Sequence, residues 1–528
     1  MTMKLPRKYL SAEGLFSTIH EEFKKIRLPQ TLAPRSNPIT LTDCLMSGLA
    51  LFSLKYPSLL KFDESHDEVN VRHNLRTLFH VQQAPSDTYM RERCDEVIPE
   101  SIRKAYKKIF SHVQRGKGLE EFEYLDKHYL LPGDGTGFFN SNTVHCENCC
   151  VKQHHKCHVK FFLKIPDNAF ESMIGFYFLV KSKNRSWRLY LNQTERYAEI
   201  DINSVVGLSD ILLNKERREL SPEEKTQAIS AITAYHKTIN PEDDTEDQIE
   251  YYHNMFCAAI VHPDKKLVLP LIPEPIMKTD GSTKNDCERN ASKRLYADTR
   301  REHPHLKFIV VEDSLASNVP HLVDLKNLDM RYIVGAKPGD HKFLFNLVKE
   351  LTCTEYSQKT EDGTEHRYRY INQLQLNSSH QDFKTNFLEY WEINKNGNVQ
   401  HFSWVTDITI TNDNVYDIMR GGRVNWRIEN NTFNTLKNQN YHFEHNFGHG
   451  YKNLSTIFGM LMMLAFFVDQ VQELSCHMFK KARAKFKSRT SLWERMRGKF
   501  FNFLIKSWDD LFQAIIYGHE STLVINTC

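Results

Sequence analysis

The chain lacks an excess of charge of either sign. Its 528 residues include 69 Lys and Arg against 66 Asp and Glu, which gives a formal net charge of +3. The total charge therefore does not identify a nucleic-acid-binding protein. Only a local excess of positive charge could identify a nucleic-acid-binding region in this chain.

Two further absences concern the compartment. The eleven cysteines do not form an evenly spaced disulfide framework, because four fall within residues 146–157. No secretory signal is visible at the N-terminus, so a reducing cytoplasm fits best.

The apolar run at residues 454–468 is fifteen residues long, whereas a bilayer span needs about 20. We expect a buried core helix there, with a membrane span as the alternative.

Three acidic residues in distinctive settings are the most informative feature that is present. Asp134 lies in the stretch Leu-Leu-Pro-Gly-Asp-Gly-Thr-Gly-Phe-Phe, Asp313 closes the apolar run Phe-Ile-Val-Val-Glu-Asp, and Glu429 lies in a helical pattern. Two carboxylates at strand ends and one on a helix can converge on two divalent metals about 3.5–4 Å apart. The sequence therefore predicts an enzyme that cuts phosphodiesters. The alternative for each Asp is an ordinary turn residue.

The glycine-rich stretch around Asp134 is not a nucleotide-binding loop. It lacks the Gly-Lys-Ser/Thr ending of a P-loop. Its glycines at positions 133, 135 and 137 instead permit a tight approach to the backbone.

The order Asp-Asp-Glu, the stretches around these residues and the ending His-Asn-Phe-Gly-His-Gly at residues 445–450 resemble the DDE transposases of bacterial insertion sequences. The similarity is greatest to the cut-and-paste branch that carries a β-rich insertion before the last Glu. It implies a transposase that binds transposon ends and catalyses metal-dependent DNA cleavage and strand transfer. It also implies catalytic Asp134, Asp313 and Glu429 holding two Mg²⁺ ions, for which Mn²⁺ can substitute.

The same resemblance implies the partners and the location. We expect double-stranded DNA, both the inverted repeats of the element and the target, bound by a homodimer on paired ends. We expect no membrane and a place in the bacterial cytoplasm at the nucleoid. The alternatives are a transposase-derived DNA-binding protein without catalysis and an RNase H-like nuclease without strand transfer.

The patterns along the chain predict an α/β fold, which the resemblance makes an RNase H-like mixed sheet. The core should comprise residues 126–155 and 250–350, with the helix of Glu429 in residues 411–450. The remaining predicted parts are a helical N-terminal region (1–125), an inserted small α+β domain of unknown role (156–249), a β-rich insertion (351–410) and a helical, basic C-terminal region (451–528).

Residues 1–125 carry one open question. Two helices joined near residues 82–85 could form a helix-turn-helix unit that reads DNA. A helical bundle that only packs on the core is the equal alternative. The inserted domain also separates His-Cys-Glu-Asn-Cys at residues 145–149 from Tyr-Tyr-His-Asn-Met at residues 251–255, stretches that the resemblance would bring together.

The sequence departs from the family around Glu429. The related enzymes carry a Tyr-Arg-Glu-Lys pattern there, but Gly422 and Asn425 occupy the Tyr and Arg positions. The candidate phosphate contacts are instead Arg423, Arg427 and Lys437, with a solvated basic helix face as the alternative. Trp426 could stack on a DNA base or anchor the core. The histidines at positions 445 and 449 could assist the site, or simply belong to a tight turn.

The C-terminal region contains a local excess of positive charge. Residues 480–506 include ten basic residues and one acidic residue, Glu494, interleaved with aromatic side chains. Cations of this kind can neutralise DNA phosphates, and the candidate DNA contacts are Lys480, Lys481, Arg483 and Lys485. An amphipathic helix that packs its aromatic residues inward is the alternative, and both can hold together.

The cysteine cluster suggests a second metal. Cys146, Cys149, His154 and Cys157 have the residue types of a zinc knuckle. The final spacing is short, and Cys150, His155 and His158 offer other ligands. The competing interpretation is a loop of reduced thiols beside the strand of Asp134.

Overall fold

A computed structural model describes residues 8–28, 39–146, 148–154, 161–163, 176–180, 187–191, 248–281 and 284–518. The chain divides into two compact units. The first unit comprises Met1–Cys150 together with Tyr252–Cys528, and the second comprises Val151–Tyr251. The second unit thus has nearly the bounds that the sequence suggests for an inserted domain.

The first six α-helices of the described chain precede its first strand. The strands are β1 (Glu123–Tyr124), β2 (His128–Ser141), β3 (Cys150–His154), β4 (Phe161–Leu163), β5 (Phe176–Val180), β6 (Trp187–Leu191), β7 (Gln248–Ile260), β8 (Leu269–Pro270), β9 (Glu274–Ile276), β10 (Phe308–Glu312), β11 (Arg331–Gly335), β12 (Thr354–Lys359), β13 (Glu365–Gln375), β14 (Lys384–Ile393) and β15 (Val399–Thr406).

The α-helices of the described residues are α1 (Ala12–Phe23), α2 (Leu41–Ser53), α3 (Leu59–Ser65), α4 (Val69–Phe79), α5 (Asp87–Asp95), α6 (Arg103–Arg115), α7 (Lys284–Glu302), α8 (Val319–Asn327), α9 (Lys342–Glu350), α10 (Val415–Arg423), α11 (Asn434–Asn438), α12 (Leu454–Ser475), α13 (His477–Ala484), α14 (Arg489–Asn502) and α15 (Trp508–Tyr517). A π-helical segment, Ile428–Phe433, directly precedes α11.

The first unit is built on a mixed sheet, as an α/β fold requires. The order of its strands is β12-β13-β14-β15-β11-β10-β2-β7, with β1 beside β2 and with β8 and β9 beside β7. Strand β10 runs parallel to both β2 and β11. All five residues of β10 are buried, which is typical of parallel strands that are covered on both faces.

The β-rich segment before Glu429 continues this sheet. Strands β12 to β15 form an antiparallel meander, as the alternating pattern predicts. The last of them, β15, pairs antiparallel with β11, so that Thr406 lies opposite Ile333. The insertion is therefore an extension of the core sheet rather than a separate sheet.

The N-terminal and C-terminal helices form one helical body. Helix α12 packs against α2, α5 and α13, and α14 packs against α4. The side-chain amide of Asn74 donates to the backbone oxygens of Phe500 and Phe503 at 2.6 and 2.7 Å. Helices α4 and α5, which flank the predicted helix-helix junction, thus contribute to the core. Whether they also read DNA stays a prediction.

A buried ion pair joins the N-terminal helices to the C-terminal helices inside this body. The Nζ atom of Lys55 lies 2.7 Å from Asp469 on α12, and its side chain is fully buried. The hydroxyl of Tyr441 donates to the same carboxylate. The ammonium group also lies over the rings of Tyr441 and Trp493, at 4.0 and 4.4 Å from their centroids.

Helix α12 is long and apolar enough to cross a membrane by length and composition alone. Within the fold, however, 94% of its apolar window is buried. The core-helix interpretation of the run at residues 454–468 is therefore confirmed, because the helix supplies the interior of the helical body.

Candidate active site

The structure brings Asp134 and Asp313 to the same edge of two neighbouring parallel strands. Val311 of β10 lies opposite Pro132 of β2. Continuing this parallel register by two residues places Asp313 opposite Asp134. Both side chains are exposed to solvent. Each accepts a local backbone hydrogen bond, Asp134 from Gly135 at 2.8 Å and Asp313 from Leu315 at 2.9 Å.

The glycines beside Asp134 are required by close approach of helix α7. A Cβ atom at Gly133 would lie 2.2 Å from the hydroxyl oxygen of Tyr296. A Cβ atom at Gly135 would lie 2.7 Å from a carboxylate oxygen of Glu288. Helix α7 can therefore press its side chains against the strand of Asp134 only because the flanking residues have none.

Glu429 reaches the same region from a helical element. It lies in the π-helical segment, which packs against β2. A π-helical turn is an irregularity that is frequent at functional sites, because it shifts the direction in which side chains leave the helix. The side chain of Glu429 is exposed.

The carboxylates are close enough to affect one another's protonation. Burial of Asp134 among protein atoms, together with the charges of Glu288, Asp313 and Glu429, raises the pKa of Asp134 to about 6, against the opposing effect of the hydrogen bond from Gly135. Like charges that share a site are expected to shift a pKa in this direction. The three predicted acids therefore meet, and a fourth carboxylate joins them.

Glu288 was missed by the sequence analysis. It lies on helix α7, which is rich in charged residues, and nothing in the local pattern separates it from the other acids of that helix. The available sequence indication was Gly135, because a glycine beside Asp134 permits a close neighbour but does not identify it.

A cleft that is open to solvent lies beside these carboxylates. Asp134, Asp313 and Glu288 line it, together with a buried pair in which His321 lies 2.6 Å from Glu312. Burial alone would lower the pKa of His321, but the charge of Glu312 and the hydrogen bond to it raise the pKa. This pair gives the cleft a fixed polar wall directly beside Asp313.

The donor set fits magnesium better than a transition metal. Carboxylate oxygens are the ligands that Mg²⁺ prefers, usually one or two of them with several waters. In the described residues, these carboxylates do not form a group of three or more with ligand atoms within 4.8 Å of one another. They surround an open space instead, which leaves room for hydrated cations between them.

The basic residues around Glu429 are already engaged within the protein. Arg423 pairs with Glu392, and Lys437 lies 2.7 Å from Glu444. Arg427 is buried, with 7% of its surface exposed, and donates to the backbone oxygen of Pro263. Its position favours a structural role over the predicted phosphate contact, whereas Arg423 and Lys437 remain partly accessible.

Trp426 does not anchor the core. Its side chain is 49% exposed, with the Arg427 guanidinium 4.8 Å from its ring centroid. The structure also explains why glycine stands at the family's Tyr position. A Cβ atom at Gly422 would lie 2.6 Å from the indole ring of Trp404, so α10 packs directly on strand β15.

The C-terminal helices bury aromatic side chains and leave several basic side chains at the surface. Phe479, Trp493 and Phe500 are buried, so the aromatic side chains pack inward as the amphipathic alternative predicts. The side chains of Lys480, Lys481 and Lys485 are exposed. Arg483 is partly buried, and its guanidinium donates to the backbone oxygen of Phe486 at 2.6 Å.

A second group of side chains gathers near the end of β2. The ligand atoms of Cys146, Cys149, His253 and His449 all lie within 4.8 Å of one another, so they could hold a metal ion. The predicted zinc set shares only the two cysteines with this group. The side chain of His154 and all of Cys157 lie outside the described residues.

Two histidines of this group were not predicted as zinc ligands. His253 lies in the stretch at residues 251–255 that the resemblance would bring to the cysteines, and the structure does bring the two together. His449 was considered only as an aid to the carboxylate site. Cys150, one of the alternative ligands, has its thiol directed instead at the backbone oxygen of Ile276, 3.8 Å away.

Comparison with known proteins adds no identification. No protein-family model matches the chain, and no curated protein matches it.

Proposed function

We propose that this protein is a DDE-type transposase, which cuts the ends of a mobile DNA element and joins them to target DNA. The observation that carries the proposal is the proximity of Asp134, Asp313 and Glu429, of which the two aspartates line one open cleft. These residues come from strand β2, the end of strand β10 and one π-helical segment, which are far apart in the sequence. Burial of Asp134 and, to a smaller degree, the charges of Glu288, Asp313 and Glu429 raise the pKa of Asp134 to about 6.

The strand arrangement supports an RNase H-like core for this activity. Strands β2, β10 and β11 lie side by side and parallel. Strand β7 lies on the other side of β2 and runs antiparallel to it, with Leu130 opposite Val261. Strands β8 and β9 pair antiparallel with β7 in turn. Such a mixed sheet presents the first acid on its central strand and the second on the neighbouring strand.

The positions of the four acids suggest different roles for them as metal ligands. Asp134 lies near the charges of the other three carboxylates and would therefore be the central ligand of bound Mg²⁺, with Asp313, Glu429 and Glu288 approaching from different elements. Bound Mg²⁺ would supply Lewis-acid activation of the attacking oxygen and stabilisation of the departing 3′ oxygen. The buried Glu312–His321 pair fixes the turn that carries Asp313.

The exposure of the site agrees with a macromolecular substrate. Asp134, Asp313, Glu429 and Trp426 are all exposed, so a DNA backbone can reach the carboxylates without entering a closed pocket. The indole of Trp426 offers a flat apolar surface next to Glu429, on which a base could stack.

The decisive experiment uses the full-length protein, Mg²⁺ or Mn²⁺, and linear duplex DNA that carries the sequences flanking its own gene. We expect cuts at the element ends and joined products with a second DNA. Asp313→Asn and Glu429→Gln should lower the cutting rate by at least about 100-fold, since each removes a charged ligand. Both variants should keep binding the DNA.

Matched controls and a second readout make the result decisive. Asp324→Asn and Glu64→Gln alter helical acids that pair with Lys293 and Lys61 and do not line the cleft, and both should cut at the wild-type rate. Calorimetric titration with Mg²⁺ should show binding that Asp313→Asn weakens. Binding of DNA without cutting would indicate a transposase-derived binding protein. Cutting without joined products would indicate a nuclease. Cutting at the wild-type rate by either acid variant would overturn the proposal.

A further inference from the structure

We propose that Cys146, Cys149, His253 and His449 form a closed, structural zinc site that is separate from the carboxylate cleft. The site differs from the zinc knuckle suggested by the sequence, because two of its four ligands come from distant segments. It does not depend on the transposase proposal.

The distances within the group match a tetrahedral ion. The two sulfur atoms are 3.8 Å apart, the two Nε2 atoms are 3.1 Å apart, and the three sulfur–nitrogen distances measured are 3.1, 3.3 and 3.5 Å. With Zn–S bonds of about 2.3 Å and Zn–N bonds of about 2.0–2.1 Å, a tetrahedron separates its ligands by roughly 3.8 Å, 3.3 Å and 3.5 Å in the same order. All three classes of distance agree within about 0.4 Å.

The tautomer of His449 favours metal binding over a hydrogen-bond network. Its Nδ1 atom lies 2.9 Å from the backbone oxygen of Gly450, to which it donates. The Nε2 atom of the neutral ring therefore presents a lone pair to the group. A backbone carbonyl that holds the other nitrogen is the usual outer partner of a metal-binding histidine. One cation could accept the lone pairs of both histidines and both sulfurs at once.

The ligands are held in place before any ion binds. The backbone N–H of Cys149 donates to the oxygen of Cys146 at 3.2 Å, which closes the turn that brings the two thiols together. His449 lies between Gly448 and Gly450, whose φ angles of +131° and +70° suit glycine. Asp95 accepts the backbone N–H groups that follow, including that of Leu454 at 2.9 Å.

Three of the four side chains are also shielded from water, and Cys146 is partly buried. Cys149, His253 and His449 have 1%, 4% and 5% of their surface exposed. The ring of Phe139 packs 4.5 Å from that of His449, and the ring of Phe138 packs 5.9 Å from that of His253. Four protein ligands complete a tetrahedron and leave no open position for catalysis.

The site would tie together three parts of the first unit. The cysteines follow β2, which carries Asp134, whereas His253 belongs to β7 and His449 lies just before the buried helix α12. A bound ion would therefore fix the helical body to the sheet near the candidate active site. Such binding energy contributes directly to the stability of the fold.

The test is metal analysis of full-length protein purified under reducing conditions without chelators. The wild-type chain should contain about one zinc, and His253→Ala and His449→Ala should each lower this to below about 0.1. Two controls change neighbours that are not ligands in this arrangement. Cys150→Ser should retain the zinc, and so should the double variant His154→Ala with Cys157→Ser.

Replacement with cobalt separates loss of a ligand from loss of the fold. Wild-type protein loaded with Co²⁺ should show the absorption of a tetrahedral site with two thiolates. His253→Cys should still bind, with sulfur-to-cobalt absorption about 1.5-fold stronger, since three thiolates replace two. Failure of the wild-type protein to bind either metal would overturn the proposal. So would loss of zinc in the His154 and Cys157 double variant with retention in His253→Ala.

Discussion

Replacing Asp134 with asparagine should stabilise the metal-free protein and abolish its response to Mg²⁺. Burial of the Asp134 carboxylate, together with the charges of Glu288, Asp313 and Glu429, disfavours its ionisation. Asparagine has the same shape and can still accept the backbone hydrogen bond from Gly135, but it carries no charge. The substitution therefore removes repulsion in the empty site together with the central metal ligand.

The magnitude follows from the pKa of Asp134. A rise from 3.8 to about 6 corresponds to about 3 kcal/mol at full strength. Because the side chain is exposed to solvent, screening reduces the stability effect to about 1 kcal/mol. For a unit of this size the melting temperature should rise by about 1–2 °C.

The sign of the pH dependence provides a sharper check. The raised pKa means that the folded protein holds this proton more tightly than the unfolded chain does. Below about pH 4 the group is neutral in both states, so the wild-type protein and the variant should be equally stable with respect to it. As pH rises through about 6, the wild-type protein loses this contribution, and the advantage of the variant becomes complete.

The assay is calorimetric unfolding at pH 4.5 and pH 8 in resin-treated buffers, which remove free Mg²⁺ without stripping a zinc site. Millimolar Mg²⁺ at pH 8 should then stabilise the wild-type protein but not the variant. Asp324→Asn serves as the control, since Asp324 pairs with Lys293 on the surface at 3.2 Å. A variant that is less stable than the wild-type protein at pH 8 would refute the mutual repulsion of the carboxylates.

Two other predictions concern the helical body. Lys55→Met should destabilise the protein by about 3–5 kcal/mol, because it leaves the carboxylate of Asp469 buried without its partner; adding Asp469→Leu should recover most of this loss in thermal unfolding. Replacing the four basic candidates with Gln should weaken binding to all DNA sequences alike and reduce the salt dependence by about 0.9 per lost phosphate contact. Identical slopes in a salt titration would show that these cations face solvent or another subunit. The four positions are Lys480, Lys481, Arg483 and Lys485.

The sequence by itself determined the local elements and the chemical types of the candidate residues. Alternation of apolar and polar residues predicts the strands of the β-rich segment, and an uninterrupted apolar run predicts the buried helix α12. The position of Asp313 at a strand end followed from the same patterns, whereas Asp134 lies within β2, which continues to Ser141. These features depend on which side of an element is buried, and a short window of sequence records that directly.

The tertiary structure alone decided which distant residues meet. Glu288 reaches Asp134 across the gap left by Gly135, and His253 and His449 join cysteines that lie more than a hundred residues away along the chain. In the tertiary structure, Arg427 is buried, and the N-terminal and C-terminal helices pack into one helical body. Such contacts depend on the order of strands in the sheet and on helix packing, and the periodicity of a segment encodes neither.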